Sequence, residues 1–203
     1  MDRRCARVFL SPPRWSWLYV VLWLAGCVQV PRIQEEGRYR LPDCRDWHVS
    51  GRIGVVRDGE GWHGGFDWRQ TGGRFRVSLR GPLGQGGLLL LGEEGRVRMV
   101  PSEGMPLEGR DIDALVARAL GWPVPVSGLQ YWILARAASD REATVERDAR
   151  GRPVRIVQDG WRLEYAGWER GPSGFWWPTR LRGVRDGLRV KLVLRRHECL
   201  LSH

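Results

Sequence analysis

Metal ligands and nucleophile motifs are scarce in this sequence. Four cysteines and four histidines occur among 203 residues, and neither type has the spacing of a metal site. The histidines, at 48, 63, 197 and 203, belong to no recognisable catalytic motif. The glycine-rich stretch 81–87 precedes no predicted helix, so it does not form a phosphate-binding loop. We therefore predict no enzyme, no metal and no cofactor. A hydrolase would require a histidine and a nucleophile that converge only in the fold.

Lysine is almost absent, because Lys191 is the only one among 33 basic residues, against 23 acidic residues. The formal net charge is +10. The arginines alternate along predicted strands instead of forming a block, so we predict no nucleic-acid binding. Attraction to an anionic surface or to an acidic partner fits the same charge.

An apolar run long enough for a comfortable membrane span is also missing. A short run over 15–24 follows several arginines and precedes small residues, which is the order of a secretory signal. The sequence LAGC at 24–27 resembles the bacterial lipobox, in which the signal is cut just before a cysteine that is then acylated. We expect a signal peptide over 1–26 and a lipidated Cys27, held at the outer membrane by its acyl chains. The alternative is a signal anchor with an incidental cysteine.

Residues 27–45 have no clear period and are expected to form the lipidated N-terminus and a tether. A folded domain is expected over 46–196, and a short tail over 197–203. Cys44 and Cys199 lie near the two ends of the folded part. They could pair in an oxidising compartment, and two unpaired thiols are equally compatible with the sequence.

Alternation of apolar and polar residues dominates the folded part and predicts antiparallel strands with one dry face and one wet face. Tight-turn signals such as Asp58-Gly59 and Asp186-Gly187 separate them. In the first strand, His48 falls on the polar face. The predicted strands are 47–55, 62–69, 74–80, 86–91, 95–100, 143–148, 153–158, 161–165, 175–182 and 188–195.

Two helices are predicted in the middle of the chain. The stretch 111–121 has an apolar stripe, with Asp111 or Asp113 as its start and Gly121 as its end. A second helix follows two prolines, with Ser127 as a possible cap. A sheet of about ten strands must curl or close, and its open mouth is the natural place for these helices. Large aromatic residues then line the concave face, which forms either an apolar pocket or a filled core.

Several stretches, in order, resemble the LolB family. They are SGRIGV at 50–55, GGFDWRQTGGRFRVSLRGPLGQGGLLL at 64–90, GWPVPVSGLQYWILA at 121–135, GRPVRIVQDGWRLEY at 151–165 and LRVKLVL at 188–194. The resemblance implies a mainly β fold: an unclosed antiparallel β-barrel of about ten to eleven strands, with a helical lid and an apolar cavity. It also implies that a periplasmic carrier, LolA, hands over acylated lipoproteins, which are then placed among outer-membrane phospholipids. We expect a monomer. The C-terminal stretch RRHECLLSH lacks a tryptophan that the family often has there.

The resemblance assigns roles to particular residues. The loop Gly81, Pro82, Leu83 and Gly84 becomes the membrane-insertion loop, with Leu83 as the inserting residue; from the turn alone, Leu83 could equally fold back into the core. The expected acyl-chain cavity comprises Trp47, Val49, Trp62, Phe66, Trp68, Phe75, Val77, Leu79, Leu129, Trp132 and Ile133. The competing interpretation is a lipid-binding or scaffolding envelope lipoprotein with the same barrel and no insertion activity.

Overall fold

The alternating pattern forms one antiparallel sheet. A computed structural model describes residues 39–82, 86–93 and 95–200. Its eleven strands are β1 (Trp47–Arg57), β2 (Glu60–Thr71), β3 (Arg74–Arg80), β4 (Gly87–Glu93), β5 (Arg96–Pro101), β6 (Leu107–Gly109), β7 (Ala143–Arg147), β8 (Pro153–Gln158), β9 (Trp161–Arg170), β10 (Trp176–Arg185) and β11 (Leu188–Cys199). Ten of them correspond to the predicted segments. The three residues of β6 are too few to show a period, so alternation did not predict this strand.

The sheet is an unclosed barrel, as predicted. Its strand order is β6-β5-β4-β3-β2-β1-β11-β10-β9-β8-β7, so among the described residues β6 and β7 are its two edges. The first and last strands are central neighbours. The two halves of the chain therefore extend outward from a pair of strands that joins the ends of the domain.

Register keeps the apolar residues on the concave face. Ile53 lies opposite Leu192, and Val77 lies opposite Leu90. A bulge in the β1–β11 pairing follows Ser50, and there a side chain on Gly51 would overlap the carbonyl oxygen of Val193. Only glycine permits this close backbone approach. Arg195 of β11 is left without a pairing partner in β1, so the buried positions of β11 change from even-numbered residues up to Leu194 to His197.

The first predicted helix is confirmed as α1 (Ile112–Leu120). The Asp111 carboxylate accepts the backbone N–H of Asp113 at 2.9 Å and of Ala114 at 3.0 Å. Gly121 ends the helix with φ +73°, in the left-handed conformation that glycine adopts without strain. Both predicted ends of α1 are therefore present.

The predicted cap of the second helix is wrong. Helix α2 (Val126–Trp132) begins after Pro125, which has no side-chain donor or acceptor to offer. Ser127 lies inside the first turn, and its N–H and hydroxyl donate to the two carboxylate oxygens of Asp113, at 2.9 and 2.5 Å. A residue of α1 thus satisfies the start of α2, so the two helices are tied together.

The ends of the domain are joined covalently. Cys44 and Cys199 form a disulfide, with their Cα atoms 5.7 Å apart, which settles the question that the sequence left open. Strand β11 continues past residue 196 to reach this bond. We call residues 39–46 the strap: its Arg40 carbonyl accepts the Trp176 N–H at 2.9 Å, and its Asp46 carbonyl accepts the Leu200 N–H at 2.8 Å.

His48 lies on the outer face of β1, as predicted, but it is buried there instead of exposed to solvent. Its residue is 5% exposed, with Nε2 2.8 Å from Asp67 Oδ2 and Nδ1 3.3 Å from Glu198 Oε1. The two carboxylates come from the strands on either side of β1, so the histidine is covered by its neighbours on the outer face. No helix in the described part of the chain is long and apolar enough to cross a membrane.

Candidate functional site: an apolar cavity

A cavity of about 450 Å³ lies between the concave face of the sheet and the two helices. Protein interiors normally contain few voids larger than a water molecule, so a space of this size is not a packing fault. Its volume falls in the range of small-molecule sites. The lining residues are Ile53, Val55, Trp62, Phe66, Trp68, Val77, Leu79, Gly86, Gly87, Leu88, Leu90, Ser102, Val116, Leu120, Trp122, Val124, Val126, Leu129, Ile133 and Leu192.

The wall of the cavity comes from strands β1 to β4 and β11. These strands are adjacent in the sheet, and their inward positions pair across it: Val55 lies opposite Trp62, and Trp68 lies opposite Val77. Alternation therefore places one apolar side chain every second residue on the same concave surface.

The roof of the cavity comes from α1, α2 and the segment that joins them. Leu129 and Ile133 are one helical turn apart and both face the cavity. The end of α2 is fixed to the sheet, because Trp132 Nε1 donates to Gln158 Oε1 at 3.0 Å and the Tyr165 hydroxyl donates to the Trp132 carbonyl at 3.1 Å. Burial raises the pKa of Tyr165 well above 10, so this hydroxyl keeps its proton. The roof is thus anchored at one end.

The cavity reaches the surface at a mouth that we define by Gly86, Gly87, Ser102 and Leu120. Gly86 and Ser102 are exposed, and Leu120 is 43% exposed although it lines the cavity. Two hydrogen bonds of 2.8 Å join Ser102 and Gly87 and extend the β4–β5 pairing at the rim of the mouth.

The lining of the cavity is almost entirely apolar. None of the described residues that line the cavity carries an ionisable side chain. Among these described residues, Ser102 at the mouth is the only one with a hydroxyl. Such a surface can take up apolar chains.

Seven of the eleven residues predicted for the cavity line it. They are Trp62, Phe66, Trp68, Val77, Leu79, Leu129 and Ile133. The structure thus brings together residues from β2, β3 and the second helix that are up to 71 positions apart in the sequence, from 62 to 133. Their role towards acyl chains stays a prediction.

The other four predicted residues do not line this cavity. Trp47 borders a separate space of about 440 Å³ beside the strap, with a mixed polar and apolar lining. Val49 is fully buried in the core. The ring of Phe75 occupies the space beside Gly92, and Trp132 packs on Trp161 with ring centroids 6.1 Å apart. These side chains share the inward face but lie beyond the open space.

Several lining residues were not proposed from the sequence. Ile53 and Val55 share the predicted inward face of β1, so alternation alone could have included them. Val116 and Leu120 are on the predicted stripe of α1. Leu88 and Leu90 are hidden in a run of four leucines, where alternation gives no signal.

The predicted insertion loop is only partly described. Gly81 and Pro82 follow β3, and the Gly81 N–H donates to the Gly86 carbonyl at 3.0 Å, which closes the base of the loop. Leu83 and Gly84 lie outside the described residues, as does Cys27. The base of the loop is part of the cavity mouth, because Gly86 lines it.

A buried histidine lies near the strap, away from the cavity. His197 is 7% exposed and stacks on Trp177 with ring centroids 5.4 Å apart. Burial lowers the pKa of His197 below its ordinary value of 6.5, and the charge of Glu169 opposes this in part. The folded protein therefore favours the neutral imidazole.

This burial predicts a loss of stability in mild acid. As pH falls below about 6.5, the unfolded chain protonates His197 more readily than the folded protein does, so the free energy of unfolding decreases. The melting temperature of the wild type should fall more steeply from pH 7 to pH 5 than that of His197→Phe, which keeps the stacking ring. Circular dichroism melts at both pH values measure this difference. Equal slopes would contradict it, since His48 and His63 are shared by the two proteins.

Comparison with known proteins identifies the family that has this architecture. The family model "Outer membrane lipoprotein LolB" matches residues 45–196. The chain belongs to the LolB family. It is therefore an outer-membrane lipoprotein of the lipoprotein-localisation system.

Individual relatives agree with the family assignment. The chain is 32% identical over 162 residues to the outer-membrane lipoprotein LolB of Francisella tularensis subsp. tularensis, covering 80% of this chain and 78% of that one. It is 31% identical over 205 residues to LolB of Chromohalobacter salexigens, covering 97% and 94%. A DUF1329 family protein from Desulfovibrio piger, 10% identical, has the same fold with a TM-score of 0.52, covering 79% and 88%.

Proposed function

We propose that this LolB-family protein accepts acylated lipoproteins from a LolA-like periplasmic carrier and inserts them into the outer membrane. Acyl chains of the cargo would enter the apolar cavity, remain shielded from water and leave through the mouth. The cargo passes from the carrier to the cavity and then to the membrane without any covalent step. The protein acts as a receptor rather than as an enzyme.

The cavity of about 450 Å³ is the observation that carries this proposal. Each methylene removed from water contributes about 0.8 kcal/mol, so acyl chains can dominate the binding free energy. A lining that is apolar apart from Ser102, and without charges among the described residues, supplies this stabilisation. A scaffold would have no use for such an open space and could have a filled barrel.

The proposal also assigns roles to Cys27 and to Leu83. Acylation of Cys27 would hold the protein at the membrane, since several acyl chains on one residue give stable anchoring. Leu83, between the described ends of its loop, would enter the lipid and bring the mouth to the bilayer. A leucine flanked by proline and glycine can do so without displacing the sheet.

The test is a transfer assay with the mature chain that carries Cys27→Ala. A carrier loaded with radiolabelled lipoprotein is mixed with this chain and with liposomes, and Leu83→Glu is compared with native Leu83. Both forms should accept the cargo, and Leu83→Glu should deliver roughly tenfold less of it, because a carboxylate resists transfer into lipid. Val154→Glu, at an exposed site on β8, is the matched control and should deliver normally.

Three outcomes distinguish the receptor function, the role of Leu83 and the insertion of cargo. If neither form accepts lipoprotein, the receptor function is wrong and the barrel is a scaffold. If Leu83→Glu accepts and delivers like the native protein, only the role of Leu83 is wrong. If acceptance occurs without delivery in both forms, the protein binds lipid and does not insert cargo.

A further inference from the structure

Met105 is the most exposed large apolar side chain among the described residues. It is 84% exposed, and the next, Leu120, is 43% exposed. Met105 lies in the loop 102–106 that joins β5 to β6. An isolated exposed apolar residue is ordinary, so its position must carry the argument.

The backbone holds Met105 outward. Gly104, immediately before it, has φ +98°, a conformation that other residues rarely adopt, and Pro106 follows. Proline fixes its own φ and restricts the residue before it. The loop is therefore shaped to present this one side chain, with Glu103 as its only charged residue.

The loop is attached to the cavity mouth. Ser102 is joined to Gly87 by two hydrogen bonds, and Pro101 lies opposite Leu88 in the β4–β5 pairing. Gly86, Gly87 and Ser102 all line the cavity. Loop 102–106 and Gly86 thus lie at the same end of the neighbouring strands β4 and β5.

We propose that Met105 is a second lipid-contact residue, which enters the acyl region of the bilayer at the cavity mouth and holds that mouth against the membrane. This inference rests on the proposed function, since acyl chains that leave at this mouth must meet lipid there. One contact would let the barrel rotate about a point. Two adjacent contacts restrict the direction in which the mouth faces.

Lipid suits Met105 better than a structured protein partner does. A methionine side chain is unbranched and flexible, so it adapts to a fluid surface without a complementary pocket. Because Glu103 is the only charge on the loop, the contact should be apolar and should not depend on head-group charge. Its contribution should therefore persist in high salt and on neutral vesicles.

The first experiment measures partitioning into vesicles. The mature chain with Cys27→Ala, which lacks the acyl anchor, is mixed with phosphatidylcholine vesicles at low and high salt. Met105→Gln should lower the partition coefficient roughly five- to tenfold, because an amide replaces a buried apolar group. Val154→Gln, at an exposed apolar site away from the mouth, should leave it within about twofold. Uptake of lipoprotein from the carrier should be unchanged in both.

The second experiment locates the side chain. Because Cys44 and Cys199 are joined, Met105→Cys supplies the single free thiol of this chain, to which an environment-sensitive fluorophore can be attached. Vesicles should shift its emission to the blue, and phospholipids with brominated acyl chains should quench it. The same label at Val154→Cys should show neither change.

The outcomes distinguish this inference from the function on which it rests. If Met105→Gln partitions like its parent and the label at 105 stays in water, the lipid contact is wrong while cargo uptake can still be normal. If Met105→Gln loses uptake from the carrier and keeps its partitioning, Met105 contacts the carrier, which also overturns the inference. If the parent chain itself takes up no cargo, the proposed function fails, whatever the label at 105 reports.

Discussion

Filling the cavity with Val77→Phe and Val116→Phe together is expected to lower the affinity for an acyl chain roughly 50-fold, because room is lost for about three methylenes at about 0.8 kcal/mol each. Val77 faces the cavity from β3, and Val116 faces it from α1. Stability should be kept or slightly raised, since the new rings occupy open space instead of displacing packed neighbours. Opposite effects on binding and on stability would distinguish a blocked cavity from a damaged fold.

The measurement is displacement of a fluorescent fatty acid, with thermal unfolding followed on the same samples. Val154→Phe with Val157→Phe is the matched control, because both valines are exposed on β8 and the added volume is the same. The control should bind like the wild type. If the cavity-filled protein also binds like the wild type, then acyl chains occupy another part of the molecule.

Removal of the disulfide is expected to lower the free energy of unfolding strongly. Cys44 and Cys199 are 155 positions apart, so their bond closes nearly the whole domain into a loop. The chain-entropy model gives about 5 kcal/mol for a loop of this length, and measured losses in comparable cases are about 2–5 kcal/mol. Cys44→Ser with Cys199→Ser should therefore lower the melting temperature by about 10 °C.

Thermal unfolding of the mature chain with Cys27→Ala, with and without reductant, measures this loss. Reduced wild type and the double variant should melt together, both below the oxidised wild type. A melting temperature that does not respond to either change would mean that the strap is held by its hydrogen bonds alone. Those bonds include Trp176 to Arg40 and Leu200 to Asp46.

The fold was largely predictable because the strands in both halves of the sheet show the same alternation of apolar and polar residues. Ten strands and both helices follow from periodicity, and the caps of α1 follow from Asp111 and Gly121. The cap of α2 was not predictable in this way. Its partner is the Asp113 carboxylate, 14 residues away, and only the packing of the two helices brings it to Ser127.

The sequence predicted that an apolar cavity exists, but it identified only some of the residues that line it. Alternation identifies which side chains point inward, but it does not show where the inward face is filled. Phe75 is inward and yet packs beside Gly92, because the missing side chain at that glycine accommodates the ring. Trp47 is inward and yet borders the strap. The position of the open space depends on where the helices lie over the sheet, and periodicity carries no information about that placement.

The burial of His48 on the outer face likewise depends on residues of the neighbouring strands. His48 alternates with apolar residues and so belongs to the polar face, but carboxylates from β2 and β11 lie against both ring nitrogens. The paired disulfide depended on the adjacency of β1 and β11, which brings the two ends of the domain together. Cysteine spacing alone left that pairing open.

Photo-crosslinking can show directly whether acyl chains of a lipoprotein occupy the cavity. A benzoyl-phenylalanine replaces Phe66, which lines the cavity, or Phe175, which is half-buried elsewhere, and each protein is given a lipoprotein with radiolabelled acyl chains on its carrier. We expect labelled acyl chain attached at position 66 and none at position 175. Equal labelling at both positions, or no labelling at 66 while the cargo is bound, would contradict it.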